Sequence, residues 1–406
     1  MTETAEVPFS ERDTHRIHKI STSPNLSSQN SISWLLSACC FASAVSLRAC
    51  DTLLPTLADE FSVTVGQAAR VIFVFAIAYG AFQLCFGPLG DRYGKLRVIA
   101  LCALACVMGN TMAVMAPDLD WLVAARILSG ACAAGIIPLA LAWIGDNVPY
   151  ASRQAALAGL MSATVMGMLA GQWVVGMIAE GVGWRPAFAL IACLFLLTGG
   201  LLLRAVAHQA PPAAASSGAR RTLLGVIASP TARWILTVTA IEGALAFGAI
   251  AFIPSALQRQ YGISMSMAGG IAACYGVGGF IYTRMASRVL ARTGESGLAR
   301  LSGILLLTGF VSFAYVPALA WTPVACLLVG FGFYGLHNTL QTNATQMAPT
   351  ARGAAMSLFA CCLFLGQSAG VMGAAWVADH LTDSLIFVGA GGGLVMLSFI
   401  AARRFR

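Results

Sequence analysis

The sequence predicts an all-α membrane protein in which twelve transmembrane helices form two six-helix bundles. Three observations support this fold class. Hydrophobic residues make up 58% of the 406 residues and charged residues only 10%, whereas a soluble protein has about 25% charged residues. The chain has twelve apolar segments, each close in length to the roughly 20 residues that a helix needs to cross a bilayer. An internal repeat divides these segments six and six. The composition excludes a soluble globular protein, a disordered chain and a nucleic-acid-binding protein.

The apolar segments are helices rather than β-strands, because each is long and continuous. A helix also satisfies all of its backbone hydrogen bonds within one segment, as lipid requires. The predicted spans are 33–57, 67–88, 98–116, 121–145, 154–179, 186–203, 233–257, 265–283, 301–319, 322–346, 354–378 and 384–402.

Cationic residues predict the orientation. If both chain ends are cytoplasmic, 19 of the 24 lysines and arginines lie on the cytoplasmic side, as the positive-inside rule requires. Arg70, Arg185 and Arg259 fall near the outer rim, and Arg48 and Arg126 lie within spans. We therefore interpret the net charge of +8 as a topology signal and not as evidence for an acidic polymer partner.

A long, Pro- and Ser-containing loop divides the chain into halves. We expect a cytoplasmic tail at 1–31, bundles at 32–204 and 232–402, a cytoplasmic linker at 205–231 and a second tail at 403–406. The halves match at an offset of 199 or 200 residues, which implies duplication of a six-helix unit in parallel orientation. The matched pairs are Pro55 and Pro254, Arg92 and Arg292, Gly94 and Gly294, Arg153 and Arg352, Gly167 and Gly366, and Gly171 and Gly370.

The twelve cysteines all lie in apolar segments and none forms a CxxC pair. Cysteines in apolar segments typically have free thiols and pack as small hydrophobic side chains. We expect neither a metal site nor a cofactor.

The loop between the second and third spans, residues 87–97, reads GPLGDRYGKLR. It resembles the signature loop of the major facilitator superfamily, G-x-L-a-D-R-x-G-r-[KR], at the same place between spans. Residues 126–135 in the fourth span and 184–188 at the start of the sixth resemble two further family patterns. The resemblance covers nearly the whole membrane part.

In that family the loop carboxylate pairs with the start of the eleventh helix when the inner side is closed. The resemblance therefore implies a conformational latch formed by Asp91 and the helix start at Arg352. A carboxylate is favoured there by the helix dipole. The second copy has Ala291 where the first has Asp91, so we expect the latch on one side only. The predicted latch residues are Gly87, Asp91, Arg92, Gly94, Lys95, Arg97 and Arg352.

Within the superfamily, the sequence is most similar to the drug:proton antiporter branch. That resemblance implies small-molecule substrates, protons as the coupled ion, a bacterial-type cytoplasmic (inner) membrane and a monomer. The fifth span, at 167–176, lacks the proline of the branch's G-P-x-x-G-G pattern, which leaves the export direction open.

Ionisable residues inside membrane spans usually face a water-filled cavity or each other. Arg48 and Asp51 are three residues apart and share a helix face. Glu242 lies near the middle of the seventh span. In the family, the first, fourth and seventh spans line the central cavity, which would bring these groups together. Arg48 with Asp51 could instead be a structural pair, Arg126 could reach the outer surface, and Glu242 could be permanently neutral.

The tenth span carries a polar face at helical spacing, formed by Tyr334, His337, Asn338 and Gln341. His337 is either a titrating group or a hydrogen-bonding spacer. The predicted proton-coupling and cavity residues are Asp51, Glu242, Arg48, Arg126, His337, Asn338 and Gln341.

Together these features predict a proton-coupled carrier that works by alternating access and exports a small amphiphilic organic molecule. Uptake or exchange of a small organic anion, held by Arg48 and Arg126, is the alternative. A transporter-like membrane sensor is an alternative from another class. We expect no enzyme, because the sequence has no H-E-x-x-H metal motif. It also has no ATP-binding P-loop, so we expect no direct drive by ATP.

Overall fold

The computed structural model describes residues 26–207, 219–316, 318–349 and 351–404. Within these ranges the secondary structure is helical, and no strand occurs. Residues 1–25 of the expected tail at 1–31, the middle of the expected linker at 208–218, and residues 405–406 lie outside the described residues.

The helices follow one another as twelve membrane spans. The first six are Leu26–Arg48 with Leu54–Glu60, Val65–Ala68 with Arg70–Tyr93, Lys95–Val114, Leu119–Ala133 with Ile136–Asn147, Tyr150–Val182, and Trp184–Val206. The second six are Pro230–Ile250 with Ile253–Tyr261, two spans within Met265–Tyr315, then Thr322–Gln346, Arg352–His380 and Asp383–Ala402. A short helix, Ala219–Ala228, precedes the seventh span, and a 3₁₀ turn, Leu319–Trp321, precedes the tenth.

By length and apolar composition, the described residues contain eleven helices that could cross a membrane. The sequence predicts twelve, and the difference lies in the 51-residue helix Met265–Tyr315. Such a helix would be about 77 Å long, whereas the hydrocarbon core is about 30 Å thick. Gly294, with φ 64° and ψ 177°, interrupts it. The eighth and ninth spans therefore meet at Gly294.

Proline residues break the first, fourth and seventh spans. Pro55 and Pro254 each lie in the first turn of the second helix segment of their span, and Pro138 lies three residues into Ile136–Asn147. A proline lacks the N–H of a helical residue, and its ring clashes with the carbonyl four residues earlier. In each of these spans the helix stops shortly before the proline and then restarts.

The predicted repeat is visible in equivalent packing contacts. A Cβ at Gly167 would meet the carbonyl of Phe41, and a Cβ at Gly366 would meet that of Ala240. Both members of these two contacts are 199 residues apart. Gly94 and Gly294 likewise share a positive φ, 92° and 64°, which L side chains rarely adopt.

The linker differs from the expectation in one respect. Residues 219–228, expected as part of a flexible loop, form a helix whose Val226 is buried. The local sequence has two arginines at its start and an apolar run at 223–228, and the helix packs against the eleventh and seventh spans. The helix of the first span also begins at residue 26, inside the expected tail.

Two pairs of spans carry most of the packing between the halves, the second with the eleventh and the fifth with the eighth. We call the end of the molecule that carries residues 87–97 the loop end, and the opposite end the far end. These contacts place the first, fourth, seventh and tenth spans around the centre, where the predicted charged residues lie.

Candidate functional site

The first charged group is an ion pair at the break of the first span. Nη1 of Arg48 donates to Oδ2 of Asp51 at 3.3 Å, and both side chains are buried. Nε2 of Gln172, from the fifth span, donates to the same oxygen at 3.3 Å. The other oxygen, Oδ1 of Asp51, has no partner within the described structure. The contact between Arg48 and Asp51 is as predicted, but they do not share a helix face: the helix ends at Arg48, and Asp51 lies in the turn that follows.

Arg126 forms a second group, close enough to Asp51 to interact with it electrostatically. Its Nη2 donates to the carbonyl of Ser46 at 2.9 Å and its Nε to the carbonyl of Val71 at 3.3 Å. The guanidinium lies 4.1 Å from the centre of the Phe75 ring. Since its side chain is fully buried, Arg126 does not reach the outer surface. Backbone carbonyls and a ring face replace a carboxylate partner here, and a planar guanidinium suits both.

Glu242 and His337 form the third group, in the C-terminal half. Nδ1 of His337 lies 3.0 Å from Oε2 of Glu242, within hydrogen-bond distance. Glu242 is fully buried, whereas the side chain of His337 is 17% exposed. Oε1 of Glu242 has no partner in the described part of the chain. An unpaired buried carboxylate oxygen is costly, and binding of a proton lowers that cost.

Aromatic rings connect the first and third groups. The Arg48 guanidinium lies 4.7 Å from the centre of the Phe247 ring, in the opposite half. Phe247 contacts Phe333 at a centroid distance of 4.9 Å, and Phe333 stacks on His337 at 5.2 Å. We call Phe247 and Phe333 the aromatic bridge. It joins the two halves between Arg48 and Glu242.

Most of these charged groups are buried in protein and do not face the common aqueous cavity that the sequence predicts. Arg48, Asp51, Arg126 and Glu242 are each at most 2% exposed, and only His337 is partly accessible. The predicted meeting of the four charges is met in part. Asp51 interacts electrostatically with both Arg48 and Arg126, whereas the aromatic bridge lies between Arg48 and Glu242. The reason is local, since each charge finds polar or aromatic partners in its own bundle or in the bridge.

The other polar residues of the tenth span lie toward the loop end. Nδ2 of Asn338 donates to the hydroxyl of Tyr282 at 3.2 Å, and Gln341 is exposed. The predicted polar face is therefore divided: His337 contacts Glu242, while Asn338 holds the eighth span against the tenth.

The loop residues lie as follows. Oδ1 of Asp91 is 3.1 Å from Nζ of Lys95, which also lies 2.8 Å from Asp146. Gly94 ends the helix before Lys95. Arg352 is the first residue of the eleventh span. Asp91 thus pairs within its own half here.

The remaining predicted loop residues are all accessible to some degree. Arg92 lies over the ring of Tyr93, and no atom would contact a Cβ at Gly87 within 4 Å. Arg97 is partly buried.

One segment carries a hydrolase-like spacing that weakens the sequence argument against an enzyme. Residues 366–370 read GQSAG, which matches G-x-S-x-G. That motif needs a strand-to-helix turn that exposes the serine. Here the segment is inside the helix Arg352–His380, and Ser368 is buried. A Cβ at Gly370 would meet the carbonyl of Ala244, so these small residues serve helix packing.

Neither Phe247 nor Phe333 is among the site residues predicted from the sequence. Phe247 is five residues after Glu242 and Phe333 is four before His337, so each lies about one helical turn from a predicted residue. Ser46 and Val71 bind Arg126 through backbone carbonyls, a contact that residue types do not reveal.

The fold, with buried charges at the centre of two repeated six-helix bundles, is that of a multi-pass membrane transporter. Residues 36–371 match the sequence profile of the Major Facilitator Superfamily. The chain belongs to this family, and it is therefore a secondary transporter.

Two curated relatives have names that refer to drug resistance. A chloramphenicol resistance protein of Streptomyces lividans is 27% identical over 359 residues, which are 87% of this chain and 91% of the relative. The quinolone resistance protein NorB of Staphylococcus aureus is 22% identical and covers 86% of this chain and 89% of its own length.

Solved structures agree with the fold. The nucleoside transporter NupG superposes with a TM-score of 0.74 at 13% identity, covering 92% of this chain and all of its own. A bacterial homologue of the lysosomal transporter Spinster, in an inward-facing conformation, gives 0.71 at 16% identity over 95% of this chain and 98% of its own.

Proposed function

We propose that this chain exports a small amphiphilic organic molecule in exchange for protons. It does so as a monomer in a bacterial-type cytoplasmic membrane, with both termini in the cytoplasm. The names of the relatives, which refer to chloramphenicol and quinolone resistance, support export of a drug-like compound. The observation that carries the proton coupling is the fully buried Glu242 in contact with the partly exposed His337.

The proposed proton path runs through this pair. His337 is the accessible member, so it exchanges a proton with water and passes it to Oε2 of Glu242 across 3.0 Å. Protonation neutralises a carboxylate whose other oxygen is unpaired, and so removes a large cost of burial. Binding of substrate or proton then shifts the population of the inward- and outward-open states.

The aromatic bridge is the proposed binding surface. Phe247 and Phe333 come from the seventh and tenth spans, and Tyr334 packs beside Phe333 at a centroid distance of 5.6 Å. Aromatic faces with one acid and one histidine suit an amphiphilic ligand that needs few polar contacts. Arg48 and Arg126 are both engaged by protein groups, which favours this ligand over the alternative of a small organic anion.

The test is transport by purified protein in liposomes. An imposed pH gradient should drive accumulation of chloramphenicol or norfloxacin, with proton movement reported by a trapped pH dye. Glu242→Gln should abolish gradient-driven accumulation but retain downhill exchange of the same compound, because the amide cannot carry a proton. Glu295→Gln is the matched control, since Glu295 is an exposed acid of the same half. Unchanged gradient-driven accumulation in Glu242→Gln would falsify the assignment of this residue.

A further inference from the structure

At the far end, a carboxylate of the C-terminal half caps a helix of the N-terminal half. Asp379, near the end of the eleventh span, accepts a hydrogen bond from Oγ1 of Thr64 at 2.6 Å. It also accepts one from the backbone N–H of Gly66 at 2.9 Å. Thr64 is the N-cap of the second span. Asp379 therefore binds the exposed N–H end of a helix that belongs to the other bundle.

The reverse arrangement occurs at the same end of the molecule, where the fifth span contacts the eighth. Glu180, near the end of the fifth span in the N-terminal half, accepts from the backbone N–H of Ser266 at 3.0 Å. Ser264 is the N-cap of the eighth span. Glu180 and Asp379 are 199 residues apart, and Thr64 and Ser264 are 200 apart. The two caps are thus equivalent positions of the internal repeat, each reaching across to the opposite bundle.

These contacts stabilise the closed far end for an electrostatic reason. The first turn of a helix carries unpaired N–H groups and a partial positive charge, so a carboxylate is favoured there. Close approach is built into the chain: a Cβ at Gly66 would meet the Asp379 carboxylate, and a Cβ at Gly176 would meet the carbonyl of Met265 at 3.0 Å.

Two further hydrogen bonds join the bundles at the same end. Oγ1 of Thr56 lies 3.1 Å from Sδ of Met265, and Nε2 of Gln258 donates to the carbonyl of Thr52 at 3.1 Å. At the loop end, by contrast, Asp91 pairs with Lys95 of its own half. The structure is therefore closed at the far end.

We propose that Asp379 and Glu180 are paired gate residues that hold the far end of the transporter closed. Each acts by capping a helix of the opposite bundle, and both caps must be released before the far end opens. The proposal needs alternating access, but it needs neither proton coupling nor export. It therefore survives even if the proposed function fails.

Hydrogen–deuterium exchange of the unlabelled protein in nanodiscs tests this proposal. In the double variant Asp379→Ala with Glu180→Ala, deuterium uptake should rise in peptides covering 62–72 and 262–272. It should fall, by roughly twofold to fivefold in rate, in peptides covering 87–97 and 352–358, because opening of one end closes the other. Asp383→Ala is the matched control, since Asp383 pairs with Arg259 at the far end but within one bundle. The control should leave uptake at the loop end unchanged.

The fall at the loop end is the decisive readout. A rise at the far end without that fall would show that the caps act only locally, and the proposal would be overturned. If uptake rises everywhere, the alanine variant is unfolded, and the decision passes to Asp379→Asn with Glu180→Gln. That variant keeps oxygen acceptors and removes only the charges. It should change uptake in the same two directions by a smaller factor, and unchanged uptake at both ends would overturn the proposal.

Discussion

The N-terminal half surrounds each of its buried charges with several partners, whereas the C-terminal half gives its buried acid only one. Asp51 receives hydrogen bonds from Arg48 and Gln172, and Arg126 is held by two carbonyls and a ring. Among the described residues, Glu242 has a hydrogen bond with His337 alone. We therefore expect the charges with several fixed partners to act as part of the scaffold. We expect the acid whose partner is a partly exposed histidine to be the one that changes its protonation state.

The largest expected effect separates the two acids by stability. Asp51→Asn leaves the buried Arg48 guanidinium without a carboxylate, and breaking a buried ion pair typically costs about 3–5 kcal/mol. Glu242→Gln preserves a hydrogen-bond acceptor for His337 and should cost less than about 1 kcal/mol. Thermal unfolding in detergent should therefore show a large decrease in Tm for Asp51→Asn and a small one for Glu242→Gln. Equal decreases would remove the distinction between a structural acid and a coupling acid.

The glycines that the internal repeat shares test whether the two halves pack alike. At these positions the halves should respond to substitution in the same way. A Cβ at Gly171 would meet the carbonyl of Val45 at 2.6 Å, and one at Gly370 would meet that of Ala244. Either glycine→Ala change should destabilise the protein by about 1–3 kcal/mol through overpacking. Gly373→Ala, where no atom lies within 4 Å of a Cβ, is the control and should have little effect on Tm. A tolerant site in one half only would show that the two bundles pack differently.

Sequence reasoning predicted the parts of the molecule that depend on periodicity. Span number, the offset of 199 to 200 residues and the Arg48–Asp51 pair all follow from spacing along one chain. The partner of Glu242 was harder to predict, because His337 is 95 residues away along the chain. Only the packing of two helices brings the two residues together. The hydrogen-bond partners of Arg126 could not be predicted from residue types, since they are mainly backbone carbonyls, which every residue has.

The loop at residues 87–97 differs from its repeat in the second half, because Asp91 has no acidic counterpart at position 291. In the present structure Asp91 pairs with Lys95. We expect it to move to the start of the eleventh span when the loop end closes. Asp91→Asn should then slow turnover a few-fold without changing the substrate-to-proton ratio, because it removes a charge that stabilises one state. Ala291→Asp is the companion variant and should change the rate little. A full rate for Asp91→Asn would contradict the latch.

The smallest expected effect concerns the rim at the far end. Glu60 is the last residue of the helix Leu54–Glu60, at the rim beyond the predicted first span 33–57, and partial burial raises its pKa. Hydrogen bonds from the Trp184 indole and the Arg185 guanidinium outweigh this effect and lower the pKa below its usual value. The carboxylate therefore stabilises the fold above the unfolded pKa of about 4.3, and the contribution is lost as the pH falls through the folded pKa.

Glu60→Gln should consequently lower Tm slightly at pH 7, and the difference from the unmodified protein should shrink below about pH 4. The effect is small, under about 1 kcal/mol, because the Glu60 side chain is 36% exposed and solvent screens the pair. In the other half, Asp383 has Arg259 as its partner and, within the described ranges, no hydrogen bond from an indole. Asp383→Asn should therefore change Tm less than Glu60→Gln at pH 7. The opposite order would show that the tryptophan hydrogen bond contributes little and that the rim of the two halves is energetically equivalent.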